Sequence, residues 1–276
     1  MLPCGSWHEA HSPEAKLLKK PVDKLCATCH SDFIEARKAG KPHSPFVEGA
    51  CTTCHSPHGG DNAALLKAPT AELCAACHDV SEAAAKAKTI HPPVKAGACE
   101  SCHDPHGSPR EAFLKAAPYQ LCLSCHTGFS DKLRRPKVVI HQPVKEGKCL
   151  SCHEGHSSNQ ASLLKKPVPQ LCASCHDPKK EEIVKAHAGF TLTETNCLSC
   201  HDPHASPKKG LFNAVGHSPF VDGDCGSCHD LAAKPPSPKK LNAAGFDLCE
   251  SCHDDFGKKY RTGAWVHAPV KAGNCV

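Results

Sequence analysis

Hydrophobic residues in this chain form short clusters separated by proline, glycine and charged residues, and no apolar run reaches eighteen residues. Short helices are predicted for the segments LLKKPVDKL, PTAEL, SDFIEARKAG and VSEAAAKAK. Segments such as HSPFVEGA are rich in proline and glycine and are predicted to be loops. No stretch alternates apolar and polar residues as a strand would. The pattern predicts a mostly irregular chain with short α-helices, no significant β-sheet and no transmembrane segment.

Two phrases alternate along the chain and form a repeat of about 48 residues. We call them type A, an apolar and lysine-containing lead as in LLKAPTAELCAACH, and type B, a histidine and a turn as in HPPVKAGACESCH. The expected organisation is a partial repeat with a degenerate motif at 1–20, four A-plus-B repeats at 21–204, and a final region at 205–276. That region contains an inserted type B unit, the proline-rich stretch LAAKPPSPKK and a truncated repeat.

The composition is poor in core-forming residues and rich in cysteine. Aromatic residues make up 5% of the chain, whereas 22 of its 276 residues are cysteine. A conventional hydrophobic core of this size is under-supplied, and a reducing cytosol rarely tolerates so many cysteines unless a cofactor holds them. We therefore expect something other than side chains to fill the interior.

Ten complete Cys-x-x-Cys-His motifs repeat in register, the pattern that attaches c-type haem. The two thiols can reach the two vinyl groups of one porphyrin, and the histidine then lies below the iron as an axial ligand. Zinc sites and disulfides also use paired cysteines, but neither needs a histidine after every second cysteine. The predicted attachment residues are Cys26, Cys29, Cys51, Cys54, Cys74, Cys77, Cys99, Cys102, Cys122, Cys125, Cys149, Cys152, Cys172, Cys175, Cys197, Cys200, Cys225, Cys228, Cys249 and Cys252, and the predicted proximal ligands are His30, His55, His78, His103, His126, His153, His176, His201, His229 and His253.

Most of the remaining histidines fall into two positional classes and are predicted to be distal iron ligands. Upstream histidines precede a type B cysteine by eight residues, or by ten in one case, and are His43, His91, His141, His187, His217 and His267. Trailing histidines follow a motif-position histidine by three residues and are His11, His58, His106, His156 and His204. A trailing histidine cannot reach round a flat macrocycle to the other face of the same iron, so it must serve a different haem.

The inserted motif at Cys225 suggests an assignment of these ligands. It brings the upstream His217 but no trailing histidine, and no type A motif accompanies it. The simplest hypothesis gives upstream histidines to type B haems and trailing histidines to type A haems. On that hypothesis His43 caps the haem of Cys51, and His58 caps the haem of Cys26 or of Cys74.

The number of methionines and the net charge limit the possible chemistry further. The only methionine is Met1, so bis-histidine ligation and low reduction potentials are expected, because methionine ligation raises the potential. The formal charge is +5, but the lysines are scattered and form no basic stripe with aromatics, so no nucleic-acid partner is expected. The propionates of ten haems would bring the charge to roughly −15.

The phrase LCATCH…HSPFVEGACTTCHSPHG and its repeats resemble the doubled-CxxCH multihaem c-type cytochromes, from about residue 8 to the end. The resemblance implies a multihaem array whose core is filled by about ten haem c groups, conducting respiratory electrons in the periplasm, at the outer membrane or outside the cell. It implies other redox proteins, copies of the chain or an outer-membrane porin as partners. It supplies no substrate, and we expect an electron-transfer protein rather than an enzyme.

Departures from the pattern keep alternatives open. CGSWHEAH at 4–11 has Trp7 where the second cysteine belongs, so Cys4 and His8 hold either a haem with one thioether or a decayed site. The motif at Cys275 is cut short, and residues 1–20 lack the apolar segment of a signal peptide, so we expect a fragment of a longer protein, and a haem at Cys275 stays open. A filament protomer that shares ligands between copies, or a multihaem reductase with an open haem at Cys225 or Cys249, are the alternative functions.

Overall fold

A computed structural model describes residues 3–79, 86–190, 192–193, 195–214, 216–233, 240–256, 259–260 and 263–272. Most of the helix expected at VSEAAAKAK, most of the proline-rich stretch and Cys275 lie outside these residues. Within them the chain is mostly irregular with short helices, as the sequence predicts.

The type A motifs lie on helices that begin beside a proline, except in the last repeat. Pro21, Pro69 and Pro167 directly precede the first residue of a helix, and Pro118 is itself the first residue. Proline suits this position because its missing N–H would have no partner there. The helices are Val22–Lys38, Thr70–Ala75, Pro118–Cys125, Val168–Ala173 and Phe246–Glu250; further helices follow at Thr127–Leu133, Glu181–Ala186 and Asp254–Phe256. The helices expected at SDFIEARKAG and PTAEL are confirmed, whereas in LLKKPVDKL only residues 22–25 lie in an α-helix.

The type B leads were expected to be loops, and that prediction is wrong in part. Five of the six leads, those of His43, His91, His141, His217 and His267, contain a one-turn helix after the upstream histidine, because proline is tolerated in a first helical turn. Gly49, Gly97, Gly147 and Gly223 follow these turns with φ of 69° to 75°, a conformation that glycine adopts without strain. The one-turn helices are Ser44–Val47, Pro92–Lys95, Gln142–Lys145, Ser218–Val221 and Ala268–Lys271.

The type B motifs themselves form tight turns. A short α-helix covers Cys51–Cys54, whereas 3₁₀ turns cover Cys4–Ser6, Cys99–Ser101, Cys149–Ser151, Cys197–Ser199 and Cys225–Ser227. A second set of 3₁₀ turns lies at the start of the following type A leads, at Ala15–Leu17, Ala63–Leu65, Glu111–Phe113 and Ala161–Leu163, and a further one at Lys209–Leu211 precedes the inserted type B motif.

Among the described residues, three small antiparallel sheets connect distant segments of the chain. Each contains two strands of two residues, β1 (Lys41–Pro42) with β3 (Gly107–Ser108), β2 (Thr89–Ile90) with β5 (Ser157–Ser158), and β4 (Val139–Ile140) with β6 (Ala205–Ser206). In every sheet, one strand directly precedes an upstream histidine and the other directly follows a trailing histidine. The sheets therefore bring together histidines that are more than sixty residues apart.

The chain divides into two compact units. Unit 1 comprises Met1–Arg134 and Gln142–Lys166, and unit 2 comprises Arg135–His141 and Pro167–Val276. Among the described residues, the buried hydrophobic side chains are Leu133 in unit 1 and Phe190, Ala205, Ala233 and Phe246 in unit 2. Side chains alone thus form little core in either unit, in keeping with the composition. None of the described helices is long and apolar enough to cross a membrane.

Candidate functional site

Histidine rings face one another in pairs within each unit, and each pair contains one motif-position histidine. The ring centroids lie 5.7 to 6.2 Å apart. The pairs in unit 1 are His8–His58, His43–His78, His55–His106, His91–His126 and His103–His156. Those in unit 2 are His141–His176, His187–His201 and His217–His253.

The separation of the rings fits an iron atom bound between two imidazoles. Bonds from an imidazole nitrogen to a metal are about 2 Å long, so two axial nitrogens lie about 4 Å apart and their ring centroids about 6 Å apart. In one pair, Nε2 of His253 lies 3.5 Å from Nε2 of His217. Across the described part of the chain, no three His, Cys, Asp or Glu side chains converge as metal ligands. Two ligands suit haem iron because the porphyrin supplies the other four, whereas structural zinc takes four from the protein.

The ring pairs contradict the assignment that the sequence favoured. The upstream His43 faces His78 of the next type A motif rather than His55 of its own type B motif. The trailing His106 faces His55, which belongs to the preceding type B motif. His91 with His126, and His156 with His103, repeat the same relation one unit further on. These upstream histidines therefore face type A motifs and these trailing histidines face type B motifs, the reverse of the hypothesis.

The small sheets produce this arrangement. The backbone N–H of His43 donates to the carbonyl of His106 at 3.3 Å, directly beside the β1–β3 pair. The Nδ1–H of His43 donates to the carbonyl of Pro105 at 2.9 Å; a carbonyl can only accept, so the acceptor fixes the tautomer and leaves Nε2 for a metal. His91 and His141 repeat both contacts, with the segments that end at His156 and His204.

A second device orients the motif histidines of type B. In all of them except His229, Nδ1 donates to a backbone carbonyl eight or nine residues further along, at 2.6 to 3.1 Å. The acceptor residue has positive φ, for example 54° at Ala64 and 49° at Ala112, which is uncommon outside glycine and costs backbone energy. The pairs are His8 with Lys16, His55 with Ala64, His103 with Ala112, His153 with Ser162 and His201 with Gly210. The strained backbone thus orients the imidazole.

The inserted motif changes the pairing in unit 2. His217, the upstream histidine of the insert, faces His253 of the last type A motif. His187 turns instead to His201 of its own type B motif, with the rings 67° apart, whereas the other facing histidine rings make angles of 9° to 35°. The sequence signal for this exception is the spacing of ten residues rather than eight between His187 and Cys197.

The motif histidine of the insert has a different neighbour. Phe190 is 8% exposed. The centroid of its phenyl ring lies 5.9 Å from that of the His229 ring, and the interplanar angle is 69°. Nδ1 of His229 is buried, and no hydrogen-bond partner for it lies among the described residues. Sequence reasoning missed Phe190, because nothing in the pattern places a phenylalanine at a ligand position.

Cysteines of consecutive motifs also come together in unit 1. The thiols of Cys26 and Cys51 are within hydrogen-bonding reach of each other, and so are those of Cys74 and Cys99 and those of Cys122 and Cys149. Burial, followed by the neighbouring thiol, raises the pKa of Cys26, Cys74 and Cys122 to about 11. Each pair contains the first cysteine of a type A motif and that of the following type B motif. The attachment points of consecutive motifs are therefore adjacent.

Burial also affects the trailing histidines. It lowers the pKa of His106 and of His156, so these imidazoles are neutral at neutral pH. The neutral imidazole is the form that binds a metal. Arg37 forms a two-contact ion pair with Asp104, whose Oδ1 accepts from the backbone N–H of His106 at 3.1 Å.

Several predicted ligands have no facing histidine ring among the described residues, namely His11, His30 and His267. The backbone N–H of His204 donates to Asp202, and its Nδ1 lies 3.9 Å from that carboxylate. His8, which the sequence left open as part of a degenerate site, forms a pair of the same geometry as the complete motifs.

Comparison with known proteins identifies the family. The family described as "Doubled CXXCH motif" matches residues 3–35, 43–83, 91–131, 141–181, 187–216 and 217–258, well over half of the chain. No curated protein matches the chain significantly. The repeated motifs, the facing histidines and these six matches lead to one conclusion: the chain belongs to the doubled CXXCH motif family of multihaem c-type cytochromes, electron-transfer proteins with covalently bound haem.

Proposed function

We propose that the chain carries ten haem c groups at its complete CxxCH motifs, most of them bis-histidine and of low potential, and passes electrons between them. The observation that carries the proposal is the repeated pairing of a motif histidine with a second histidine at 5.7 to 6.2 Å. Two imidazoles of the protein would hold each such iron, which would leave no position for a substrate. Two imidazole ligands without methionine favour a low reduction potential.

Each group of residues has a separate task in this proposal. Bound haem supplies one-electron redox chemistry. The paired thiols hold it covalently, the motif histidine is the proximal ligand, and an upstream or trailing histidine is the distal ligand. The Nδ1 hydrogen bonds fix the rings, so that the ligands need not rearrange when the iron changes oxidation state.

Contacts between consecutive sites in unit 1 support transfer in sequence order. The thiol pair Cys26 and Cys51 joins a type A site to the next type B site, and the β1–β3 ladder joins that type B site to the following type A site through His106 and His43. Electron transfer weakens steeply with distance, so adjacent attachment points favour neighbour-to-neighbour transfer. We propose other redox proteins or further copies of the chain as partners, outside the cytoplasm, where cytochromes of this class typically lie.

The test combines haem quantification with electron paramagnetic resonance and a potentiometric titration of the same sample. The expected result is at least ten covalent haems per chain, almost entirely low-spin, with potentials well below those of histidine/methionine cytochromes. A protein with few covalent haems, or with several high-spin irons, would contradict the proposal.

A second function is favoured by the contact between Phe190 and His229. A phenyl ring cannot bind iron, so if Phe190 lies on the distal side, the haem of Cys225 is open to a small ligand such as nitric oxide or nitrite. Carbon monoxide added to the reduced protein should then shift one haem, and Phe190→His should abolish the shift. Phe212→His, which changes the phenylalanine stacked on His201, is the control. A reduced protein that binds no carbon monoxide would leave electron transfer as the sole function.

A further inference from the structure

The degenerate segment Cys4–His8 has the geometry of a complete type B site, although Trp7 replaces the second cysteine. We propose that it holds an additional haem, attached by one thioether from Cys4 and ligated by His8 and His58. The inference rests on the proposed function, because it extends haem attachment from the complete motifs to this one.

The turn at Cys4–Ser6 matches the turns of the complete motifs. The backbone N–H groups of Trp7 and His8 both donate to the carbonyl of Cys4, at 3.1 and 3.0 Å. In the complete motif at Cys99, the equivalent bonds to the carbonyl of Cys99 measure 3.2 and 3.0 Å. Tryptophan therefore does not alter the backbone that presents the first cysteine and the histidine.

The segment that orients the imidazole is also retained. Nδ1 of His8 donates to the carbonyl of Lys16 at 3.1 Å, and Lys16 and Leu17 have φ of 60° and 56°. The backbone N–H of Lys19 donates to the carbonyl of Trp7 at 2.8 Å, as that of Lys115 donates to Cys102 at 2.9 Å. Positive φ at two consecutive non-glycine residues is costly. Its presence here, as in the complete motifs, indicates a turn built to orient a ligand.

The distal ligand is also in place. The ring centroids of His8 and His58 lie 5.8 Å apart, and the interplanar angle is 21°, both within the range of the complete sites. His58 is the trailing histidine of the next type B motif, which is the relation that His106 has to His55 and that His156 has to His103. His58 has no other histidine ring against it among the residues that the structure describes. The pairing also explains why His58 follows the motif histidine His55 by three residues. His58 reaches back to the preceding type B site.

The chemistry requires only Cys4. Its thiol adds across one haem vinyl group, so that the sulfur bonds to one vinyl carbon and the thiol proton is transferred to the other. The addition is balanced without an oxidant or a reductant. The second vinyl group stays unsaturated because Trp7 offers no thiol, and Cys4 is exposed enough for a porphyrin edge to reach it.

The first experiment is mass spectrometry of the intact holoprotein and of its proteolytic peptides. We expect one covalent haem more than the number of complete motifs, and one haem on the peptide that contains Cys4. Cys4→Ala should remove one haem of eleven. The alkaline pyridine spectrum should contain one component at longer wavelength, the signature of a remaining vinyl group, and Trp7→Cys should convert it to the ordinary form.

Cys102→Ala is the matched control, because it leaves the motif at Cys99 with only its first thiol, as at Cys4. It should add a second long-wavelength component of equal size. Ten haems with an unmodified Cys4 peptide would overturn this inference and leave the proposed function intact. A holoprotein in which the peptides of the complete motifs also carry no haem would overturn the proposed function.

Discussion

The backbone N–H of His43 donates to the carbonyl of His106 at 3.3 Å, yet the two imidazoles face different motif histidines, His78 and His55. One short ladder thus positions a ligand for each of two sites. A conformational change in the ladder would disturb both sites together, whereas a change in either imidazole would disturb only one site.

Gly107→Ala should disturb both of these sites at once. Gly107 has φ of 119°, and an added Cβ would lie 2.5 Å from the carbonyl oxygen of Lys41 and 2.6 Å from Cα of Pro42. The clash is with backbone and cannot be relieved by a side chain. We expect two haems to become high-spin or to change potential, as measured by electron paramagnetic resonance. Gly128→Ala has no neighbouring atom within 4 Å and should leave all haems unchanged. A single affected haem would contradict the shared ladder.

His91→Ala should open the haem of Cys122 and leave that of Cys99 closed. His91 faces His126, whereas the hypothesis from sequence gave it to Cys99. The expected result is one new high-spin signal. His156→Ala, which removes the ring facing His103, should open the haem of Cys99 instead.

Double variants identify the affected haem. Replacing Cys122 and Cys125 by serine removes one attachment site, and in that background His91→Ala should add no high-spin signal. Replacing Cys99 and Cys102 by serine should leave the signal of His91→Ala unchanged. The opposite pattern would restore the assignment that sequence alone suggested.

The haem of Cys197 should have an unusual spectrum. The rings of His187 and His201 are 67° apart, far from the near-parallel arrangement of the other pairs. Near-perpendicular imidazoles give ferric haem a highly anisotropic low-spin signal, whereas near-parallel ones give a rhombic signal. We expect one anisotropic component that disappears in His187→Ala and persists in His217→Ala. A spectrum without that component would contradict the pairing.

Ser108→Ala should destabilise unit 1. The hydroxyl of Ser108 is 7% exposed, donates to the carbonyl of Leu114 at 2.9 Å and accepts from the backbone N–H of Arg110 at 3.0 Å. Leaving two such groups without a partner costs about 1–3 kcal/mol each when they are buried. We expect a lower Tm by calorimetry, and Ser101→Ala, at an exposed position, should leave it unchanged. An equal Tm for both variants would show that the hydroxyl contributes nothing.

The sequence by itself determined the cofactor class and predicted the residues that hold it. The spacing of Cys26, Cys29 and His30, repeated ten times, is a local property of a pentapeptide, and so is the short helix that begins after Pro21. The two positional classes of histidine were also visible, because the repeat fixes their distance from the nearest cysteine.

Only the tertiary structure decided which histidines face each other. His55 and His106 are separated by fifty residues, and the ladder that brings them together has strands of two residues, too short to leave an alternating pattern in the sequence. Phe190 beside His229 and the turn of His187 to His201 are likewise set by packing around the insert. Local spacing therefore specifies each ligand, whereas contacts between distant repeats specify its partner.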